Sequence, residues 1–179
     1  MGELWDVVDA CGRQTGRVHE KGRPMRPGEY HRSVNAWLMN SRGEYLISRR
    51  RTDDSLAPGK WETAGGSALA GEECIDAAVR EVWEELGITL RKEDGRLFTA
   101  YLWPHSDGSG AAYTEAWVFS GEDYEPGEIG LSEVSEVMTA DADCIRRLIA
   151  GGEMIPYTYA EELFAFSEAA RKERKQSGR

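Results

Sequence analysis

Apolar positions follow two rhythms along the chain, and the switch between them marks where the elements lie. Alternation with a period of two, as in a half-buried strand, runs through 4–8 and 15–19, 31–39 and 44–51, 97–103 and 112–119, with a last short run over 134–138. The first two runs flank Asp9-Ala10-Cys11-Gly12, a turn cluster, and predict a β-hairpin. The third and fourth flank Asn40-Ser41-Arg42-Gly43 and predict another, with Val34, Ala36 and Leu38 on a buried side. The helical rhythm is clearest where Ile75, Val79, Val82 and Leu86 recur at steps of four, three and four, one face of a helix of about three turns. Gly65-Gly66 reads as a flexible turn before it and Gly71 as a break. Gly87 follows its last apolar residue, where a helix C-terminus favours glycine. Two further helices are predicted over 141–150, ended by Gly151-Gly152, and from Tyr157 onward, with Tyr159, Leu163, Phe166 and Ala170 as the buried stripe. Loops rich in glycine, proline and charge fill 21–29, 53–60, 104–110 and 122–130. The polar stretch over 104–110 is a candidate to cover a ligand, and the basic tail ARKERKQSGR is expected to fray.

Composition narrows the class. With 179 residues and no internal repeat or long linker, the chain suits one domain over 1–179. Within it, 1–30 form an N-terminal hairpin and loop, 66–88 a central segment, and 156–179 a C-terminal helix and tail. Hydrophobic residues at 40% and charged residues at 30% are ordinary for a soluble globular protein. A net charge of −10 argues against nucleic acid as a broad-surface partner. It leaves room for a small phosphorylated ligand met through local arginines and a metal. Cys11, Cys74 and Cys144 have no metal-ligand spacing and suit a reducing cytoplasm. No export pattern or membrane-length apolar run stands in the sequence, so a cytoplasmic location with no membrane partner is expected. Assembly as a homodimer is left open.

The central helix carries unusual chemistry beside its apolar stripe. At 100° per residue Glu81 and Glu85 lie on one edge, a turn apart, with Glu84 further round. Like charges at this spacing repel, and Glu85 sits at the wrong end for the helix dipole. A divalent cation would turn that repulsion into ligation, since oxygen ligands suit Mg²⁺ or Mn²⁺. A solvated acidic face is the alternative.

The full spacing shifts the balance toward ligation. Gly66, five residues, Glu72, seven residues and then Arg80-Glu81-Val82-Trp83-Glu84-Glu85-Leu86-Gly87-Ile88 resembles the signature of the Nudix family at every defined position. Seven fixed residues at roughly 7% usage each coincide on the order of once in 10⁸ starting points. The resemblance implies an α/β/α sandwich with a mixed central sheet, in which this box forms a loop–helix–loop. It implies hydrolysis of a small organic diphosphate with Mg²⁺ or Mn²⁺. It also implies roles: Glu81 and Glu85 as metal ligands, Glu84 as a further ligand or base, the Gly65 carbonyl as a backbone ligand, and Glu72 with Arg80 as a brace between loop and helix. For Arg80, a plain helix-surface pair with Asp76 or Glu84 is the alternative.

Outside the box, ELWDVVDACGRQTGR, HRSVNAWLMNSRGEYLISRRR, PGKW and GGEMIPYT resemble the isopentenyl-diphosphate isomerase branch of the same family. The isomerase Cys-Gly/Ser-His-Pro stretch is replaced by ETAGGSALAGE, and Asp54 stands near a basic position of that branch. The box, degenerate in the isomerases, is intact here. The fold thus resembles the isomerase branch and the chemistry the hydrolases. Arg50 matches a diphosphate-contacting position, with Arg49 and Arg51 beside it on the opposite strand face. Glu115 stands where the isomerases carry an acidic pair, a candidate added ligand or general base against a plain solvent-facing glutamate. His31 matches a metal-binding histidine without its partners and reads as structural. Trp61, Trp103 and Trp117 are expected in the core. Two other functions compete with the hydrolase: a double-bond isomerase, which lacks its cysteine here, and a non-catalytic ligand-binding module, which needs no adjacent carboxylates.

Overall fold

A computed structural model describes residues 2–53, 57–104, 110–121, 123–126 and 134–176, the side chains of 174–176 excepted. Asp54 and most of the loops expected at 104–110 and 122–130 lie outside the described residues.

Nine strands form one mixed sheet. They are β1 (Leu4–Val8), β2 (Gln14–Glu20), β3 (Tyr30–Met39), β4 (Tyr45–Arg50), β5 (Trp61–Glu62), β6 (Ala64–Ser67), β7 (Gly95–Pro104), β8 (Ala111–Ser120) and β9 (Val134–Ala140). Three helices accompany them: α1 (Cys74–Leu86), α2 (Ala142–Ala150) and α3 (Ala160–Gln176). Alternation along β3 builds the layers, because successive side chains leave a strand on opposite faces. Val34, Ala36 and Leu38 pack with Ala77, Ala78, Val82 and Leu86 of α1. Trp37 and Met39 pack on the other side with Ile145 of α2 and with Leu163 and Phe164 of α3. The result is an α/β/α sandwich.

β3 also organises the sheet. Along one edge it pairs in parallel with β8 from His31 to Met39. Along the other it meets β1 at Tyr30–His31, β6 at Ser33–Ala36 and β4 only at Leu38–Met39. The sheet therefore splits on that edge, with β4, β5 and β9 on one side of the division and β6 on the other. The expected β3–β4 hairpin exists, but it parts after two residue pairs.

Several expectations change in three dimensions. Residues 31–39 are not a half-buried strand, since Ala36 to Met39 are all fully buried. The run AWLM, without alternation, is the pattern of a strand covered on both faces. The last helix starts at Ala160, three residues later than expected, and its buried side is Leu163, Phe164, Ser167 and Ala170, with Tyr159 and Phe166 only half-buried. Tyr157 precedes it as a buried residue of the connecting segment. No described helix is long and apolar enough to cross a membrane.

Candidate active site

Gly65 and Gly66 are not a flexible turn. Both lie in β6, opposite Asn35 and Val34 of β3, and the reason for glycine there is close approach. A Cβ on Gly65 would stand inside 3.0 Å of the Val34 carbonyl oxygen, and one on Gly66 equally close to the Glu81 carboxylate. The ladder also fixes where the carbonyls point. Residues of an antiparallel pair alternate between bonding their partner and facing away. The Ala68 amide donates to the Arg32 carbonyl, so Ser67 and Gly65 turn their carbonyls away from β3. Ser67 meets α1 on that side, accepting from Arg80 Nη2 at 3.0 Å. The Gly65 carbonyl leaves the same edge two residues earlier.

Arg80 ties the loop to the helix. Its Nε and Nη2 each donate to a Glu72 carboxylate oxygen at 3.0 Å, a two-point grip. Its Nη1 donates to Glu81 at 2.8 Å and to Glu84 at 3.1 Å. Glu72 accepts in addition from the Leu69 amide at 2.9 Å, closing the loop onto the carboxylate. The Arg80 pKa is raised, first by the hydrogen bond to Glu72 and then, against desolvation, by Glu81. Of the surface partners expected for Arg80, Glu84 is found, whereas Asp76 pairs with Lys92 at 3.1 Å.

The three acidic residues of α1 occupy different surroundings. Glu85 is buried, with 7% of its surface exposed. The Glu81 side chain is 13% exposed and lies against Gly66. Glu84, 48% exposed, faces solvent beyond Arg80. α1 ends at Gly87, whose left-handed backbone (φ 65°) lets its amide donate to the Trp83 carbonyl. Among the described residues no three His, Cys, Asp or Glu side chains are preassembled as a metal cage. The Glu81 carboxylate lies against Gly66 of β6, and Glu85 is one turn further along α1. Mg²⁺ takes one or two carboxylates and keeps several waters.

A family model described as NUDIX domain matches residues 29–141. The chain belongs to the Nudix family. An uncharacterized Nudix hydrolase of Listeria innocua is 34% identical over 170 residues, covering 93% of this chain and 96% of that one. An isopentenyl-diphosphate Delta-isomerase of Streptomyces coelicolor is 33% identical over 87 residues, 48% of this chain and 44% of the relative. The fold matches the crystal structure of a Deinococcus radiodurans protein with a TM-score of 0.68 at 23% identity, covering 95% of this chain and 98% of that one. Family membership supports a hydrolase.

Around the Nudix helix the other expected site residues are distributed unevenly. Glu115 does not face solvent as a plain strand glutamate would. Trp117 Nε1 donates to it at 3.0 Å and Arg32 approaches to 3.8 Å. Its carboxylate and the Arg32 guanidinium both reach the Cys74 thiol, at the first residue of α1. At 1.5 Å per residue that is about 10 Å along the helix from Glu81. Burial above all, with Glu115 adding to it, pushes the Cys74 thiol up to about 12. The cysteine of the Nudix helix is therefore a packed hydrophobe, without the exposure or acidity of a reactive thiol.

The three arginines diverge. Arg50 Nη1 donates to both Glu62 oxygens, at 2.9 and 3.1 Å. Arg49 donates to the Gly59 carbonyl at 2.9 Å and lies 5.7 Å over the Trp61 ring. Arg51, beyond the end of β4, grips exposed Asp53 at 2.8 and 2.9 Å. His31 is buried and stacks on Trp5 at 4.2 Å. Trp61 is buried, and Trp103 and Trp117 are half-buried.

Sequence reasoning missed two groups. Glu62 joins Arg50 to the site's edge, and the Tyr157 hydroxyl accepts from the Thr63 amide at 3.2 Å. The Tyr157 phenol is raised well above its usual value, first by burial and then by Glu62, with Tyr159 and Glu85 adding to it. The charges of Glu62 and Glu85 thus both act on the buried Tyr157 phenol. A signal for Glu62 was available, since alternation places it opposite the buried Trp61.

Proposed function

We propose that this Nudix protein hydrolyses a diphosphate linkage in a small organic diphosphate, of nucleoside-diphosphate or related type, with Mg²⁺ or Mn²⁺. Glu81, Glu85 and the Gly65 carbonyl hold the cation, and Glu84 is available as a further ligand or as base. The observation that carries this reading is the close fit of the Glu81 carboxylate into the space that glycine leaves at position 66, beside a buried Glu85. Glu81 and Glu85 stand one turn apart, and a cation between them would offset their mutual repulsion and the unfavourable helix dipole at Glu85. A bound cation supplies charge neutralisation of the diphosphate and a more acidic attacking water.

The chain's own residues do the rest. Arg50, turned to the Glu62 edge, takes a phosphate oxygen, and Arg49 and Arg51 add positive charge beside it. Water oxygen bonds to phosphorus, the bridging P–O bond breaks toward the departing phosphate or phosphate ester, and a carboxylate takes the water's proton. Glu84 is the acceptor we assign, because it stands half-exposed within one turn of Glu81 and Glu85, whereas Glu115 lies beside Cys74 at the far turn of α1. Glu84→Gln should therefore lower kcat by about 10²-fold, and Glu115→Gln by much less. The opposite order in steady-state assays would transfer the role to Glu115.

Screening a panel of organic diphosphates with Mg²⁺ and with Mn²⁺ tests the function itself. Phosphate or phosphomonoester release that stops in excess EDTA is expected, together with a higher melting temperature when either cation is added. Interconversion of isopentenyl and dimethylallyl diphosphates would establish the isomerase instead. Ligand binding without turnover across the panel would leave a binding module.

A further inference from the structure

We propose that Tyr157 is a positioning residue for this site: its hydroxyl, at the end of a C-terminal segment laid along β5, fixes the Glu62–Gly65 stretch against α1. The inference rests on the metal site proposed above and adds a part of the chain beyond the matched family region, which ends at residue 141.

The segment after α2 behaves as one more strand. The Trp61 amide donates to the Glu153 carbonyl at 2.8 Å, and the Ile155 amide donates back to the Trp61 carbonyl at 2.9 Å. Trp61 and Met154 form a parallel bridge. Two residues further along each chain the backbone pairing gives way to a side chain, and the Tyr157 hydroxyl receives the Thr63 amide. The Thr63 hydroxyl donates in turn to the Ala36 carbonyl of β3. Thr63 is thereby held from both sides, between Glu62, which grips Arg50, and Gly65, whose carbonyl turns away from β3.

The hydroxyl is separable from the ring. The Tyr157 ring packs against Trp37 at 5.0 Å, Tyr159 at 5.7 Å and Trp103 at 5.9 Å, and phenylalanine would keep those contacts. Only the oxygen reaches Thr63. Burial and the nearby Glu62 keep the phenol protonated, so it stays a neutral acceptor through the working pH range.

Tyr159 provides the control. Its hydroxyl accepts from Asn35 Nδ2 at 3.0 Å, Trp37 Nε1 at 3.3 Å and the Tyr101 hydroxyl at 3.4 Å, and although Asn35 stands opposite Gly65, these bonds go to side chains and not to the backbone of β5 or β6. The test compares full-length wild type, Tyr157→Phe and Tyr159→Phe by calorimetric titration with Mn²⁺ and by amide hydrogen exchange without metal. Both variants should melt at lower temperature. Only Tyr157→Phe should weaken Mn²⁺ about tenfold, as loss of an outer partner of a metal site does. It alone should speed exchange at Thr63 and also at Gly66, three residues on.

Unchanged Mn²⁺ affinity and Gly66 exchange in Tyr157→Phe would overturn the proposal, as would equal effects from Tyr159→Phe. If wild type binds no Mn²⁺, the metal reading fails and the Gly66 exchange still decides the positioning. Should Tyr157→Phe not fold, wild-type exchange with and without Mn²⁺ replaces it. Joint protection of Thr63 and Ile155 supports the coupling, and its absence overturns it.

Discussion

Glu85→Gln is expected to lower kcat on a diphosphate substrate by on the order of 10²-fold or more, about 3 kcal/mol of lost transition-state stabilisation, while the fold survives. Glutamine keeps the size of the side chain and removes the charge that would hold a cation. Its neighbours cannot take over. Glu84 points some 100° away on the helix and is drawn to Arg80. Glu81 is already placed against Gly66. Stability should change little or rise, because a buried negative charge near the C-terminal end of α1 is removed.

Glu72→Gln gives the contrast. It loosens the two-point grip of Arg80 on the loop, and a partly exposed pair of this kind contributes about 1 kcal/mol. For a chain of this size that is roughly 2–4 °C in Tm. Its effect on rate should be smaller than that of Glu85→Gln. Thermal melting and turnover on both variants check the ordering. Near-full activity in Glu85→Gln with none in Glu72→Gln would reverse the two roles.

The neighbouring glycines should separate stability from activity in the opposite sense. Gly65→Ala is expected to cost about 3 kcal/mol, the upper part of the overpacking range, or roughly 6–12 °C in Tm. Its new methyl would meet the Val34 carbonyl oxygen, with the Val34 carbonyl carbon at 3.1 Å and Asn35 Cα at 3.2 Å behind it. All three are backbone atoms inside the β3–β6 ladder, so nothing there can swing aside. Gly66→Ala meets first the Glu81 carboxylate, the far end of a flexible side chain. That carboxylate can move, and it carries a proposed ligand with it. Gly66→Ala should therefore keep most of the melting temperature and lose most of the metal affinity and turnover. If Gly66→Ala binds Mn²⁺ like wild type, Glu81 is not a ligand. If Gly65→Ala melts normally, the close approach to β3 is not what requires glycine there.

Much of this site can be read in the linear sequence because it is local. Glu72, Arg80, Glu81, Glu84 and Glu85 fall within fourteen residues, and one helix with its preceding loop sets their relations through a fixed rise and twist. Alternation put Val34, Ala36 and Leu38 on one buried face, and the sandwich followed from the resemblance of the box, while burial of Trp37 and Met39 on the other face did not show in the pattern. Both glycines were visible, but the reason for them was not. Conformational freedom is a property of the residue, whereas close approach is a property of what lies opposite, and Val34 is thirty-one residues away from Gly65 in the chain.

The same distinction separates the remaining residues. Alternation set Arg50 apart from Arg49 and Arg51, but their partners, Glu62 for Arg50, Gly59 for Arg49 and Asp53 for Arg51, came only from the tertiary structure. Glu115 is an isolated acid on a strand until the parallel pairing of β8 with β3 brings it beside Arg32 and Cys74. Tyr157 is one aromatic among many until residues 153–157 lie along β5. The sequence by itself determined the Nudix box and its helix, because a periodic pattern specifies its own local geometry, whereas the covering of β3 on both faces came only with the tertiary structure. Beyond the local pairs of the box, the tertiary structure decided which charges meet. Ion pairs and close contacts depend on separations of a few ångströms between residues far apart in the chain, and no local rule of the backbone encodes them.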